Sequence, residues 1–152
     1  MHLRRGDFVR ARPTQIPSIK YAAKQIRKLL RTLNLNLTYI ATDSTNEEFN
    51  ELRKYLKSFT VIRYKPTKED LELYKDGGVA IIDQIVCSHA NYFIGTAEST
   101  FSFRIQEERE ILGFQPETTF NKFCSEFTSQ DESEKVEDCS KTSKWLIVHD
   151  TE

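Results

Sequence analysis

Leu37-Thr38-Tyr39-Ile40-Ala41-Thr42-Asp43-Ser44-Thr45-Asn46-Glu47-Glu48, residues 37–48, decides the fold. An apolar, β-branched run from Leu37 to Ala41 reads as a strand that stops at Thr42-Asp43. Ser44 or Thr45 then caps a helix, with Glu47 and Glu48 at the positive end of its dipole. Phe49, Leu52 and Leu56 supply its buried stripe. One strand has passed directly into one helix, the unit from which parallel sheets are built.

The same alternation extends both ways. Upstream, Pro17-Ser18 opens a helix with Ile19, Ala22, Ile26, Leu29 and Leu33 spaced by three and four, and the segment before residue 13 reads as a strand running into a loop. Downstream, Thr60 to Tyr64 is a strand closed by Pro66, and Thr67 to Tyr74 is a short helix ended by the turn Asp76-Gly77-Gly78. Val79 to Ala90 is a helix with Ile81, Ile82, Ile85 and Val86 inward; Tyr92-Phe93-Ile94 is a strand; a helix starts near Ser99 and runs through Glu110. The chain is expected to turn irregular past Pro116, with 125–144 a loop and Trp145 to Val148 an edge strand. The expectation is α/β: a Rossmann-like parallel sheet with helices on both faces, spanning residues 1–124, followed by an irregular extension over 125–152.

Composition narrows the class. Across 152 residues, 38% hydrophobic and 30% charged content describes a globular chain, and 22 basic against 23 acidic residues give no general nucleic-acid signal. No apolar run approaches a membrane span, and no signal peptide follows Met1. Of three cysteines, Cys87 sits in an apolar helical run and reads as a buried free thiol. Cys124 and Cys139 bracket an acidic segment and could staple it in an oxidising compartment. Asn36-Leu37-Thr38 is a glycosylation sequon in an exposed turn. No metal-ligand spacing and no Gly-x-Gly-x-x-Gly after a strand occur.

Ligands of parallel sheets sit beyond the carboxyl ends of the strands. There the sequence places His2-Leu3-Arg4-Arg5-Gly6-Asp7, Asp43, and Thr96-Ala97-Glu98-Ser99-Thr100-Phe101. Alternation puts His2 and Arg4 on one face and Leu3 and Arg5 on the other. An arginine fork suits phosphate, and a helix N-terminus suits an anion; the same residues equally suit a solvated strand end with an Arg–Asp pair and an ordinary N-cap. Asp43 reads first as a cap of the next helix. Asp83 is a helix-surface carboxylate or a base-reading acceptor, Phe101 a core residue or a stacking platform, and His89 a satisfied structural histidine. Gln106 to Glu110 reads as a solvated helix face.

Three longer motifs share one resemblance: His2 to Phe8; Asp76-Gly77-Gly78-Val79-Ala80-Ile81-Ile82-Asp83-Gln84; and Ser99 to Ile105 followed by Glu107-Glu108-Arg109-Glu110-Ile111-Leu112-Gly113. In this order, and over His2 to about Cys124, the chain resembles the C-terminal half of the GDP-fucose protein O-fucosyltransferases that act on thrombospondin type 1 repeats. The resemblance implies the donor-binding half of a GT-B glycosyltransferase, transferring fucose from GDP-fucose to serine or threonine hydroxyls with inversion. It implies no required cofactor or metal, no nucleic-acid partner, and thrombospondin-repeat proteins as acceptors. By matching positions, Arg4 would grip the diphosphate and stabilise the leaving group, and His2 would contact the nucleotide. Asp7 would order the loop, Asp83 would read guanine, and Ser99, Thr100 and Phe101 would line the phosphates and nucleoside. Cys124 and Cys139 would form the late disulfide. The general base, a glutamate of the N-terminal half, has no counterpart here, so the alternative is a non-catalytic or truncated GDP-sugar-binding fragment. The full-length enzyme would be expected in the endoplasmic reticulum lumen.

Overall fold

A computed structural model describes residues 1–127. Its elements, in chain order, are β1 (His2–Leu3), α1 (Phe8–Ala11), α2 (Ile19–Thr32), β2 (Leu37–Tyr39), β3 (Ala41–Thr42), α3 (Asn46–Tyr55), β4 (Thr60–Ile62), α4 (Lys68–Ser88), β5 (Ile94–Gly95), α5 (Thr100–Ile111), α6 (Pro116–Thr119) and β6 (Asn121–Lys122). All pairings are parallel: β2 with β4, β3 with β1, and β5 with β6.

β2 and β3 are successive parts of one extended run that changes partner at Ile40. Its N–H donates to Ile62 O at 2.9 Å, and the next N–H, from Ala41, donates to Met1 O at 2.9 Å. This run therefore sits between β4 and β1. β1 in turn contacts β5.

Helices cover both faces, and adjacent residues on single strands show it. Ile40 and Ile94 join one core with Leu3, Ile26, Leu30, Phe49, Leu52 and Leu56. Their neighbours Ala41 and Phe93 join a second core with Cys87 and Ile105. Successive strand side chains point to opposite faces, so α2 and α3 pack on one side of the strands and α4 and α5 on the other. Both helix pairs are in direct contact. The buried free thiol expected at Cys87 is found.

Local signals explain the helix starts. Ser18 Oγ accepts from Tyr21 N–H at 3.2 Å. Thr45 and Glu48 form a reciprocal capping box on α3, and Thr67 and Asp70 do the same on α4.

Four expectations are corrected. The two helices expected on either side of Asp76-Gly77-Gly78 are present, but the break between them falls at Lys75 (φ 57°, ψ −179°), the glycines are helical, and the second helix ends at Ser88. Gly78 serves that kink, since a Cβ there would lie 2.6 Å from Tyr74 Cβ. Ile81, Ile85 and Val86 are not inward but 55%, 53% and 38% exposed, because α4 turns Cys87 and Ser88 toward the protein instead. Residues 116–122 are regular rather than irregular: α6 returns the chain to β5, where β6 pairs Asn121 with Ile94. Finally, Gln106 and Arg109 are buried, not part of a solvated face. Arg109 Nη1 donates to Ser88 O at 3.0 Å, and its Nη2 to Thr118 O and Thr118 Oγ1, each at 3.1 Å. Nε donates to Thr119 Oγ1 at 3.2 Å, and the guanidinium lies over the Phe114 ring. Burial lowers the Arg109 pKa to about 10. The expectations for Cys139, for most of 125–144 and for Trp145 to Val148 fall outside the described residues.

Candidate functional site

Because β1, β3 and β5 run parallel and adjacent, their carboxyl ends deliver Arg4, Asp43 and Thr96 to one rim. Thr96 closes the seam between β1 and β5 with its side chain. Its Oγ1 accepts from Arg4 N–H at 2.8 Å and lies 3.2 Å from His2 O, to which it donates. The helix beyond Thr96 approaches closely: a Cβ on Gly95 would lie 2.6 Å from Ser102 Oγ and 2.9 Å from Phe93 Cζ.

The two arginines after β1 part company, as strand alternation predicts. Arg5 is buried; its Nε and Nη2 donate to Glu48 Oε1 at 3.0 and 2.8 Å, and its Nη1 to Pro17 O at 2.7 Å. It fastens the loop to α3 and to the start of α2. Arg4 remains at the rim, with its side chain 34% exposed. Its Nη2 donates to Asp7 Oδ1 at 2.7 Å, and its Nη1 pairs with Asp43 Oδ2 at 2.8 Å.

Asp43 is not the cap that its position suggests, since Thr45 caps α3. The carboxylate instead turns back to the β1 loop, where Oδ1 accepts Arg5 N–H at 2.6 Å. Gly6 (φ +33°) lies directly against it, and a Cβ there would come within 2.4 Å of Asp43 Oδ2.

Phe8, in α1, has the Arg4 guanidinium 5.4 Å from its ring centroid and the Arg12 guanidinium 5.2 Å away. Arg12 also forms an ion pair with Glu98. Glu98 carries a positive φ of 56° immediately before Ser99. The loop after β1 is thereby strapped to the loop that opens α5.

At that opening, Ser99 is the N-cap residue of α5 and makes no side-chain capping bond, Thr100 is exposed, and Phe101 is half-buried. Behind Phe101 lies His2, 3% exposed, with ring centroids 4.4 Å apart and planes 28° from parallel. His2 Nδ1 is hydrogen-bonded to Ser102 Oγ at 2.7 Å, and that oxygen also accepts Thr96 N–H at 3.1 Å. Burial, with the charges of the N-terminal ammonium and then Arg4 nearby, lowers the His2 pKa to about 3, so the ring is neutral. His2 thus supports Phe101 from below rather than lining the open rim.

Asp83, on α4, accepts a hydrogen bond from the Tyr39 hydroxyl. Partial burial raises its pKa, and burial together with this bond raises that of Tyr39. A carboxylate has acceptor sites beyond the one that Tyr39 takes. Asn36 is exposed just ahead of β2, while Thr38 of its sequon is buried in that strand.

Sequence reasoning singled out Arg4, Asp7, Ser99, Thr100 and Phe101; the structure places Arg4 and Asp7 in the loop after β1 and Thr100 and Phe101 at the start of α5, with Ser99 buried at its N-cap. That reasoning missed Tyr39, the Arg12–Glu98 strap and the part played by Asp43, all contacts between residues 38 to 86 positions apart with no local signature. No group of three or more His, Cys, Asp or Glu side chains among the described residues could hold a metal ion, and no described helix is long and apolar enough to cross a membrane.

The family model of GDP-fucose protein O-fucosyltransferases matches residues 1–112. GDP-fucose protein O-fucosyltransferase 2 of Homo sapiens is 48% identical over 149 residues, covering 98% of this chain and 32% of that protein. The protein of the same name from Drosophila melanogaster is 46% identical, covering 97% and 29%, and that from Caenorhabditis elegans 43%, covering 98% and 32%. The chain thus spans about a third of the length of these relatives. A crystal structure of POFUT1 in complex with GDP-fucose superposes with a TM-score of 0.53 at 19% identity, over 72% of this chain and 36% of that one. At that identity the likeness is one of fold.

Proposed function

Since the chain belongs to the GDP-fucose protein O-fucosyltransferase family, we propose that it is the donor-binding part of a peptide O-fucosyltransferase. It would hold GDP-fucose while a serine or threonine hydroxyl of a thrombospondin type 1 repeat attacks the anomeric carbon. The observation that carries this reading is the rim itself: a partly exposed arginine fork stands at the strand-end side of the sheet, on a residue whose backbone N–H is bonded to Thr96 in the loop that opens α5.

In this mechanism the acceptor oxygen bonds to the anomeric carbon from the side opposite the diphosphate. The bond to the diphosphate oxygen breaks, and GDP leaves with inversion. Negative charge grows on the leaving oxygens, where Arg4 and the amide of Thr100, the first residue of α5, gain most. Phe101, held from behind by His2, offers a face to the nucleoside. Asp83 accepts from the guanine edge with its remaining lone pairs. The acceptor proton goes to a glutamate that the family resemblance puts outside these residues. We place the whole enzyme in the endoplasmic reticulum lumen, where the Asn36 sequon and a Cys124–Cys139 pair would both be used.

Arg4→Ala in the full protein is expected to lower fucose transfer to a folded thrombospondin repeat at least ~100-fold, the scale of losing one oriented donor. Turnover within a few-fold of wild type would sink the assignment of Arg4. GDP binding without any transfer would favour a non-catalytic GDP-sugar-binding role.

A further inference from the structure

We propose that Asp43 is the positioning residue that aims Arg4 at the diphosphate. This rests on the reading that Arg4 grips those phosphates.

An arginine side chain has several rotatable bonds, and a ligand that must order it loses affinity in doing so. Here the guanidinium is already held by two carboxylates of different standing. Asp7 is three residues along the same loop, with its side chain 69% exposed, so it moves with the loop. Asp43 comes from the end of β3, which is paired to β1 in register. It alone touches both the Arg4 side chain, at 2.8 Å, and the loop backbone, through Arg5 N–H at 2.6 Å.

The loop is shaped to admit this carboxylate. Gly6 takes a positive φ against Oδ2, and any larger residue there would collide with it. α3 does not need Asp43, because Thr45 and Glu48 complete its cap. The guanidinium has five N–H donors; Asp7 takes one from Nη2 and Asp43 forms an ion pair with Nη1, which leaves the remainder of the fork for a ligand. Asp43 therefore sets the direction of the fork without touching the ligand.

The test is a titration of the full protein with GDP and, separately, guanosine, which has the base and sugar but no phosphate. Asp43→Asn retains an oxygen for Arg5 N–H and removes the charge that faces Arg4. It is expected to weaken GDP binding about tenfold and leave guanosine binding within about twofold. In an Arg4→Ala background, the same change is expected to cause no further loss of GDP affinity. Gly6→Ala, which displaces the carboxylate by a different route, is expected to repeat the selective loss if Asp43→Asn does not fold.

GDP affinity unchanged in a folded Asp43→Asn protein overturns the proposal. So does a parallel loss of guanosine, which is the mark of a general structural role, and so do losses that multiply in the double variant. Wild-type GDP affinity in Arg4→Ala would show instead that the reading of Arg4 itself is wrong, and the role of Asp43 falls with it.

Discussion

Arg4 and Arg5 are neighbours with the same side chain and opposite duties. Arg5 is buried against Glu48 and the Pro17 carbonyl, whereas Arg4 is held at the rim by carboxylates. This separation was legible in the sequence, since adjacent residues leaving a strand face opposite ways. The fate of Arg109 was not legible, because its partners are carbonyls and hydroxyls of Ser88 and residues 118–119, and backbone acceptors carry no sequence signal. His2 yields a prediction at this scale. Its folded pKa of about 3 lies below the ordinary 6.5, so between those values the unfolded chain binds a proton that the folded one refuses. Stability due to His2 is therefore intact above pH 6.5 and is lost as pH falls through this window. Between pH 7 and pH 5, wild type is expected to lose about 2 kcal/mol more than His2→Gln, as read by chemical denaturation at both values. Equal losses in the two proteins would mean that the imidazole is not held neutral by its burial.

Element by element, helix starts were readable where a capping residue led an amphipathic run, as at Ser18, Thr45 and Thr67. The reading failed at α4, where Gly77 and Gly78 suggest a turn but remain helical while Lys75 carries the break. It failed again past Pro116, because β6 has only Asn121 and Lys122 and exists through its pairing with β5. The approach of α5 to β5 depends on Gly95. Gly95→Ala is expected to destabilise the fold by about 1–3 kcal/mol, as overpacking against Phe93 and Ser102 requires. It should also weaken GDP binding, because Ser102 and His2 hold Phe101 in place. A thermal midpoint equal to that of wild type would show that the helix can retreat at no cost.

At the scale of the whole molecule, the candidate site belongs to no single element: strands β1, β3 and β5 and helix α5 each contribute one edge of it. A ligand gripping that rim clamps the parts that must separate on unfolding. GDP at a hundredfold excess over its dissociation constant is expected to raise stability by about 2.7 kcal/mol, measured as an upward shift of the denaturation midpoint, with ADP giving less. An equal shift from ADP would argue against guanine recognition by Asp83.

The Thr96 seam has a consequence for synthesis. Arg4 and Thr96 are 92 positions apart, yet the Thr96 hydroxyl is what joins β1 to β5. At about 5–20 residues per second, a ribosome needs roughly 5–18 s after releasing β1 to supply its second neighbour. For that interval Leu3, which ends 1% exposed, has no complete core to enter. The strand that leads into Arg4 is thus the one left waiting longest, and nascent-chain chaperones have their best opportunity there.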